Sequence, residues 1–326
     1  MENKLKRPER KPLKDVVPLD TPYTIYIDPM GGCNFACSFC PCNTVDYRNA
    51  DRHAMMSLDT FKKIVDDIKK FSSTVKVVNM YGFGEPLLNP NIISMVRYLK
   101  EADVCNEIFM VSNGALLTPE LSRELAESGL DLYRVSLEAL DSEKYHLFTQ
   151  RNVTFEKIVE NVRGIYDASR GTGLRVEVKT VNTVVATEEY KKFFEDTFST
   201  ITDYLRVENV GQIWSEFDAK NMEEKIDAAK LENDIPCSRP FFQMAIHSNG
   251  DVSACCADWK LETVYGNVKE TSLLDIWNSP KHLSLQKMMA GYQRSKIPFC
   301  QNCEFQSPDF FSREDGQEML GKLNDE

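Results

Sequence analysis

Three cysteines, Cys33, Cys37 and Cys40, stand at the spacing C-x3-C-x2-C inside residues 31–43, GGCNFACSFCPCN. Thiolates this close can hold three irons of a cubane [4Fe–4S] cluster and leave the fourth iron without a protein ligand. An open iron can bind and reduce a small molecule; a fully ligated one only passes electrons. Two plainer readings compete. Zinc in a structural site prefers a closed tetrahedron of four ligands, and Cys42 as the fourth would be awkward so close to Cys40. A disulfide framework belongs to short secreted chains, whereas this chain has 326 residues.

A second group comprises Cys237, Cys255, Cys256, Cys300 and Cys303. Cys237 and Cys255 are separated by 17 residues, Gly250 precedes Cys255 as G-x4-C, and Cys300 and Cys303 form a C-x2-C pair. Four thiolates fully ligate a [4Fe–4S] cluster, so this site, with Cys237, Cys255, Cys300 and Cys303, would have no open iron. A structural zinc is the alternative, and Cys256 could replace Cys255. His53, His146, His247 and His282 show no ligand spacing.

The elements that must position these groups follow from periodicity. Residues 23–28 read as a short strand feeding the first cysteine loop. Residues 57–71 form a helix with Ser57 as cap and Leu58, Phe61, Ile64, Val65 and Ile68 at helical spacing. Strands follow at 75–81, 107–111, 131–137, 174–181 and 204–208, alternating with helices at 91–102, 118 onward, 155–168 and 188–198. Six strands alternating with helices require a parallel sheet with helical crossovers. Polar and glycine-bearing segments fall after the strands, at the ends that carry function in such sheets. Beyond a polar linker at 210–236, residues 241–247 and 252–256 form a β-hairpin around Asn249–Gly250. A helix broken near Pro280 follows.

Taken together, the cysteine spacing and strand pattern resemble the radical S-adenosylmethionine (SAM) superfamily. The resemblance implies a partial (β/α)6 barrel followed by a small β-hairpin-plus-helix auxiliary-cluster domain, similar to the shortened "twitch" form of SPASM. It implies two [4Fe–4S] clusters and SAM as cofactors, with a flavodoxin or ferredoxin as reductant. Phe39 is the aromatic residue that many members place before the third cysteine. After the second strand, GFGEPLL resembles the family's GGEP turn, with Phe83 in place of a glycine and Gly84, Glu85 and Pro86 in register. Glycine there would let the backbone approach SAM. Ser112–Asn113 and Ser136 to Glu138 resemble segments that reach the SAM methionine end or ribose. Arg151 is a candidate for the SAM carboxylate. Each of these residues could equally cap a strand or lie on the surface.

The expected organisation is a flexible arm (1–20), a barrel (21–209), a linker (210–236), the auxiliary domain (237–304) and a polar tail (305–326). A net charge of −11 argues against a nucleic-acid surface. No apolar run approaches the roughly 18 residues of a membrane span. The N-terminus lacks the apolar region of a signal peptide, so the expected setting is the cytoplasm. The resemblance implies an enzyme that makes a 5′-deoxyadenosyl radical and abstracts hydrogen from a C–H bond. The expected reaction is two-electron oxidation of a hydroxyl on a sugar, cyclitol or similar polar metabolite. Arg206 and Glu208, ending strand six, are candidates for handling the proton. Alternatives are modification of a ribosomal peptide and, outside enzymes, an Fe–S scaffold. Of the remaining cysteines, Cys105 reads as a small core residue; Cys42 and Cys256 are candidate hydrogen donors.

Overall fold

The computed structural model describes residues 11–210, 236–301, 303 and 311–325. Most of the expected linker, 211–235, lies outside the described residues, as do 1–10, 305–310 and residue 326 of the arm and tail.

The six expected strands form: β1 (Thr24–Ile27), β2 (Val75–Asn79), β3 (Cys105–Ser112), β4 (Leu132–Ser136), β5 (Arg175–Val181) and β6 (Tyr204–Glu208). They pair in parallel in the order β6-β5-β4-β3-β2-β1, the open (β/α)6 barrel. Alternation along each strand decides which side chains meet the helices. Ile25, Ile27, Val78, Met110, Tyr133, Val135, Val176 and Val178 are buried under the helices. Their neighbours Tyr26, Phe109, Arg134, Glu177 and Arg206 turn to the opposite, concave face. The helices start where hydroxyl caps predict: Ser57 accepts from Thr60 N, Thr118 from Leu121 N, Thr154 from Lys157 N and Thr187 from Tyr190 N.

Among the described residues the sheet does not stop at β1. β7 (Gln243–Ile246) pairs in parallel with β1, with Tyr26 opposite Ala245. β8 (Asp251–Ser253) then turns back antiparallel through Asn249–Gly250, as the hairpin reading expected, and Gly250 has the left-handed φ of +95° that such a turn requires. A further strand, β9 (Val264–Asn267), completes a nine-stranded sheet. The cysteine-rich C-terminal region is therefore stitched to the barrel by backbone hydrogen bonds along the edge of β1.

Two expectations about the ends need correction. Residues 11–20, read as part of a flexible arm, contain a helical turn, Leu13–Val16, followed by Val17, which is 4% exposed. Within the expected polar tail, Arg313–Asn324 is a helix opened by a Ser312–Asp315 capping box. The reason is shared burial: Val17, Met319 and Leu323 close a second apolar core with Phe241, Met289 and Ile297. Lys14 pairs with Asp315 at 2.7 Å, and Trp277 Nε1 donates to Leu19 O at 2.6 Å.

Candidate active site and auxiliary cysteine site

The first cysteine loop leaves β1 at Asp28 and is fixed by backbone contacts on both flanks. Gly31 N donates to Ala54 O and Met56 N to Pro29 O. On the other side, Ala36 N donates to Thr149 O and Ser38 N to Phe148 O, at 2.9 and 3.2 Å. These acceptors belong to a helix, Ser142–Thr149, that periodicity did not reveal because its apolar residues form only a weak stripe. Its signal was the cap: Asp141 accepts from Lys144 N. Arg151, just beyond it, is exposed and gives its Nε–H to Asn34 O at 2.8 Å, bracing the loop.

Cys33, Cys37 and Cys40 gather here within electrostatic range of one another. Burial pushes the Cys33 thiol up to about 12 and raises that of Cys37 further. A thiolate at such a site needs a positive group to replace lost hydration, as a metal centre does. Among the described residues, no three His, Cys, Asp or Glu side chains converge as a single ion would require. Cys42 is buried, and its thiol donates to Phe83 O at 2.6 Å. Phe39 is half-buried within the loop.

The GFGEP turn docks on this loop. Glu85 N donates to Gly32 O at 2.9 Å, and a Cβ on Gly84 would stand 1.8 Å from Met30 O. The glycine thus permits close approach to the cysteine loop itself. Pro86 opens a short 3-10 turn, Pro86–Leu88. The Glu85 carboxylate is 2% exposed and accepts from Leu87 N, Ser112 Oγ and Asn113 N at 3.0, 2.8 and 2.8 Å. Burial raises its pKa to about 7 against the pull of those donors. Ser112 Oγ also accepts from Gly114 N, so the side chains of Glu85 and Ser112 are engaged inside the protein. Asn113 reaches further: its Nδ2 donates to Asn34 Oδ1 at 2.8 Å and lies 3.8 Å from Cys33 Sγ. Ser136 stands opposite Lys179 in the sheet. Burial also raises the Glu138 carboxylate, with Lys179 opposing the rise, and its charge reaches Cys37.

One residue that sequence reasoning passed over is Asp28. It is 4% exposed, receives Phe83 N at 3.4 Å, and leaves Oδ1 without a hydrogen-bond partner. Burial pushes its pKa up to about 7. A carboxylate as the last residue before a cysteine loop was the available signal.

The concave face below the loop has two halves. Tyr26, Tyr81 and Phe109 form an aromatic wall, with consecutive ring centroids 5.6 and 5.5 Å apart. Across β4–β6, Glu177 lies between Arg134 Nε and Arg206 Nε, each 2.7 Å from its Oε1. An arginine clamped in this way stays protonated, so Arg206 is placed to hold charge and not to accept a proton. Glu208 is 44% exposed and lies 3.7 Å from both Arg134 and Lys179.

Cys237, Cys255, Cys300 and Cys303 line a single cavity, together with Arg239, Arg294 and Phe299. Arg294 secures the last turn by donating to the carbonyls of Cys300 and Cys303. Cys256 faces the barrel interior, beside Tyr26, with Arg239 Nη1 3.6 Å from its sulfur. Of the two cysteines that sequence left as alternatives, Cys255 lines the cavity and Cys256 lies beside Tyr26. The two cysteine sites are joined by packing: Cys42, Tyr47 and Trp259 are buried together, with Cys40, Phe83 and Phe299 against them.

The radical SAM superfamily model matches residues 27–201, more than half of the chain. The chain belongs to the radical SAM superfamily. An iron–sulfur cluster-binding domain model, SPASM, matches residues 237–304. As a radical SAM enzyme it uses a [4Fe–4S] cluster with SAM, and the SPASM region adds an auxiliary iron–sulfur centre. The chain is 25% identical over 318 residues to the tungsten-containing aldehyde ferredoxin oxidoreductase cofactor-modifying protein of Pyrococcus furiosus, covering 86% of each. It is 23% identical over 279 residues to the S-adenosyl-L-methionine-dependent 2-deoxy-scyllo-inosamine dehydrogenase of Niallia circulans, covering 86% of this chain and 91% of that protein. The crystal structure of BtrN in complex with AdoMet and 2-DOIA shares the fold with a TM-score of 0.57 at 20% identity, over 90% of this chain and 97% of that one. No helix among the described residues is long and apolar enough to cross a membrane.

Proposed function

We propose that this radical SAM enzyme oxidises a hydroxyl on a sugar, cyclitol or similar polar metabolite by two electrons, in the cytoplasm, with a flavodoxin or ferredoxin as reductant. The observation that carries this reading is the likeness to the Niallia circulans dehydrogenase, which covers 86% of this chain and 91% of that protein. In this reading Cys33, Cys37 and Cys40 hold the SAM cluster, and Cys237, Cys255, Cys300 and Cys303 hold the auxiliary one. Bound SAM and the clusters supply the radical that removes a hydrogen atom and the sink for the electron that follows. Asn113 and the backbone of Gly84 to Pro86 border the SAM end of the site, with Ser136, Glu138 and Arg151 around its rim. Of the concave-face groups, Glu208 is the carboxylate best exposed to take the hydroxyl proton, and Arg206 orients Glu177 beneath it. The aromatic wall of Tyr26, Tyr81 and Phe109 offers one apolar side to a ring whose other side meets the ion pairs.

The test uses reconstituted enzyme, reduced anaerobically with SAM and a panel of aminocyclitols and polyols. The expected outcome is 5′-deoxyadenosine in step with a product two mass units lighter, and iron near eight per chain. Failure to form 5′-deoxyadenosine would overturn the assignment of the cysteine loop. Its formation with turnover of a ribosomal peptide alone would replace the substrate class.

A further inference from the structure

Arg134 projects from β4 onto the concave face, with its guanidinium carbon 4.7 Å from the centroid of the Phe109 ring and its side chain 15% exposed. Its charge is matched, but its hydrogen bonds are not. Nε lies 2.7 Å from Glu177 Oε1 yet off the N–H direction, so it is buried without a hydrogen-bond partner. Glu177 is already taken by Arg206, whose Nε and Nη2 donate to its two oxygens at 2.7 and 3.5 Å. The other carboxylate in reach, Glu208, stands 3.7 Å from Nη1, too far for a hydrogen bond. Among the described residues, no acceptor takes an N–H from this guanidinium. A buried donor left unmet costs stability, and an arginine held on a ring face presents a planar fork that fits two oxygens side by side.

We propose that Arg134 is a specificity-determining residue that selects substrates with hydroxyls on neighbouring carbons, donating from its two Nη groups to that pair of oxygens. The inference rests on the reading of the concave face as the place where a polar metabolite is oxidised. Glu208, beside Nη1, accepts from one hydroxyl of the pair, while the fork holds the oxygen next to it. The ring of the substrate lies along the wall of Tyr26, Tyr81 and Phe109. A hydroxyl with no neighbour fills only one arm of the fork and leaves the other N–H unmet.

The experiment is calorimetric binding of two rings to the reconstituted, SAM-loaded full-length enzyme, left unreduced so that nothing turns over. One ring is scyllo-inositol, in which every hydroxyl has a neighbour; the other is 1,3,5-cyclohexanetriol, in which none has. Wild type is expected to bind scyllo-inositol about tenfold more tightly, the worth of one charge-assisted hydrogen bond. Arg134→Met is expected to bind the two rings alike. Arg134→Lys, which keeps a charge for Glu177 but has no fork, should lose the preference too. A wild type without the preference overturns the proposal, as do variants that retain it. Equal weakening toward both rings in the two variants makes Arg134 structural and overturns it as well. A wild type that binds neither ring fails instead the polar-metabolite reading on which the proposal stands.

Discussion

The Phe83 ring lies nearly parallel to the His247 imidazole, with centroids 6.3 Å and planes 12° apart. Phe83 belongs to the turn on the first cysteine loop, and His247 follows β7 of the C-terminal region. The residue that departs from the family's GGEP pattern is therefore the one whose side chain bridges the two halves. Tyr47 completes the contact, with its ring centroid 5.9 Å from that of Phe83. Burial holds His247 neutral, with its pKa pushed down to about 4, and its Nε2 pairs with Ser253 Oγ at 2.8 Å. A neutral ring is the form that stacks on phenylalanine without a desolvated charge.

Phe83→Ala is accordingly expected to destabilise the protein by about 2 kcal/mol, below the full cost of a buried phenylalanine because this ring is half-buried. Phe83→Leu, which keeps volume but loses the ring contacts, should cost about 1 kcal/mol. Urea unfolding at neutral pH measures both; equal stability of all three proteins would remove the bridge.

Gly84 and Gly164 make opposite predictions for the same substitution. At Gly84 a methyl would stand 1.8 Å from Met30 O and 2.5 Å from Gly32 O, both backbone atoms. Gly84→Ala should therefore displace the turn or the loop, lowering the melting temperature and the iron bound on reconstitution. Gly164 lies within the helix Phe155–Ser169 with no atom within 4 Å of its added Cβ. Gly164→Ala should stabilise by about 0.5–1 kcal/mol through helix propensity.

The buried Asp28 gives the cluster-free protein a pH dependence of definite sign. Its folded pKa, about 7, is raised above the ordinary value of 3.8 by burial. Between these values the folded state holds a proton that the unfolded state has released. Stability from this group is thus full below about pH 4, falls as pH rises, and is lost above about 7. The slope is about 1.4 kcal/mol per pH unit at most. Glu85 acts in the same sense above its ordinary value of 4.5. Asp28→Asn should flatten the curve measured by urea unfolding from pH 4 to 8; an unchanged slope would assign the dependence elsewhere.

The C-terminal helix is predicted to be structural despite its polar composition. Met319 and Leu323 are fully buried in the second core. Met319→Ala and Leu323→Ala should each cost about 2–4 kcal/mol, while a substitution at exposed Glu314 should be near neutral. Thermal melts of the three variants decide it.

Much of the site was legible because cluster chemistry needs rigid spacing. Cys33, Cys37 and Cys40 sit within one loop, and Cys300 and Cys303 within one turn, so local sequence carries their proximity. The six strands were legible because a sheet buried beneath helices demands β-branched runs between amphipathic segments. What escaped notice was weakly patterned: the helix Ser142–Thr149 that holds the cysteine loop, the strand β9, and the pairing of β7 with β1. Backbone pairing between distant strands leaves no trace in side-chain spacing.

The amino-acid sequence by itself determined the barrel, the two cysteine groups and the turn that meets the first of them, because each depends on residues near one another in the chain. Tertiary structure alone brought Cys237, Cys255, Cys300 and Cys303 to one cavity, since they come from separate stretches of the chain and only packing gathers them. It also decided that Gly84 is there for the cysteine loop and that Phe83 joins the two halves. Those roles depend on groups brought together from far along the chain, by burial and backbone contact.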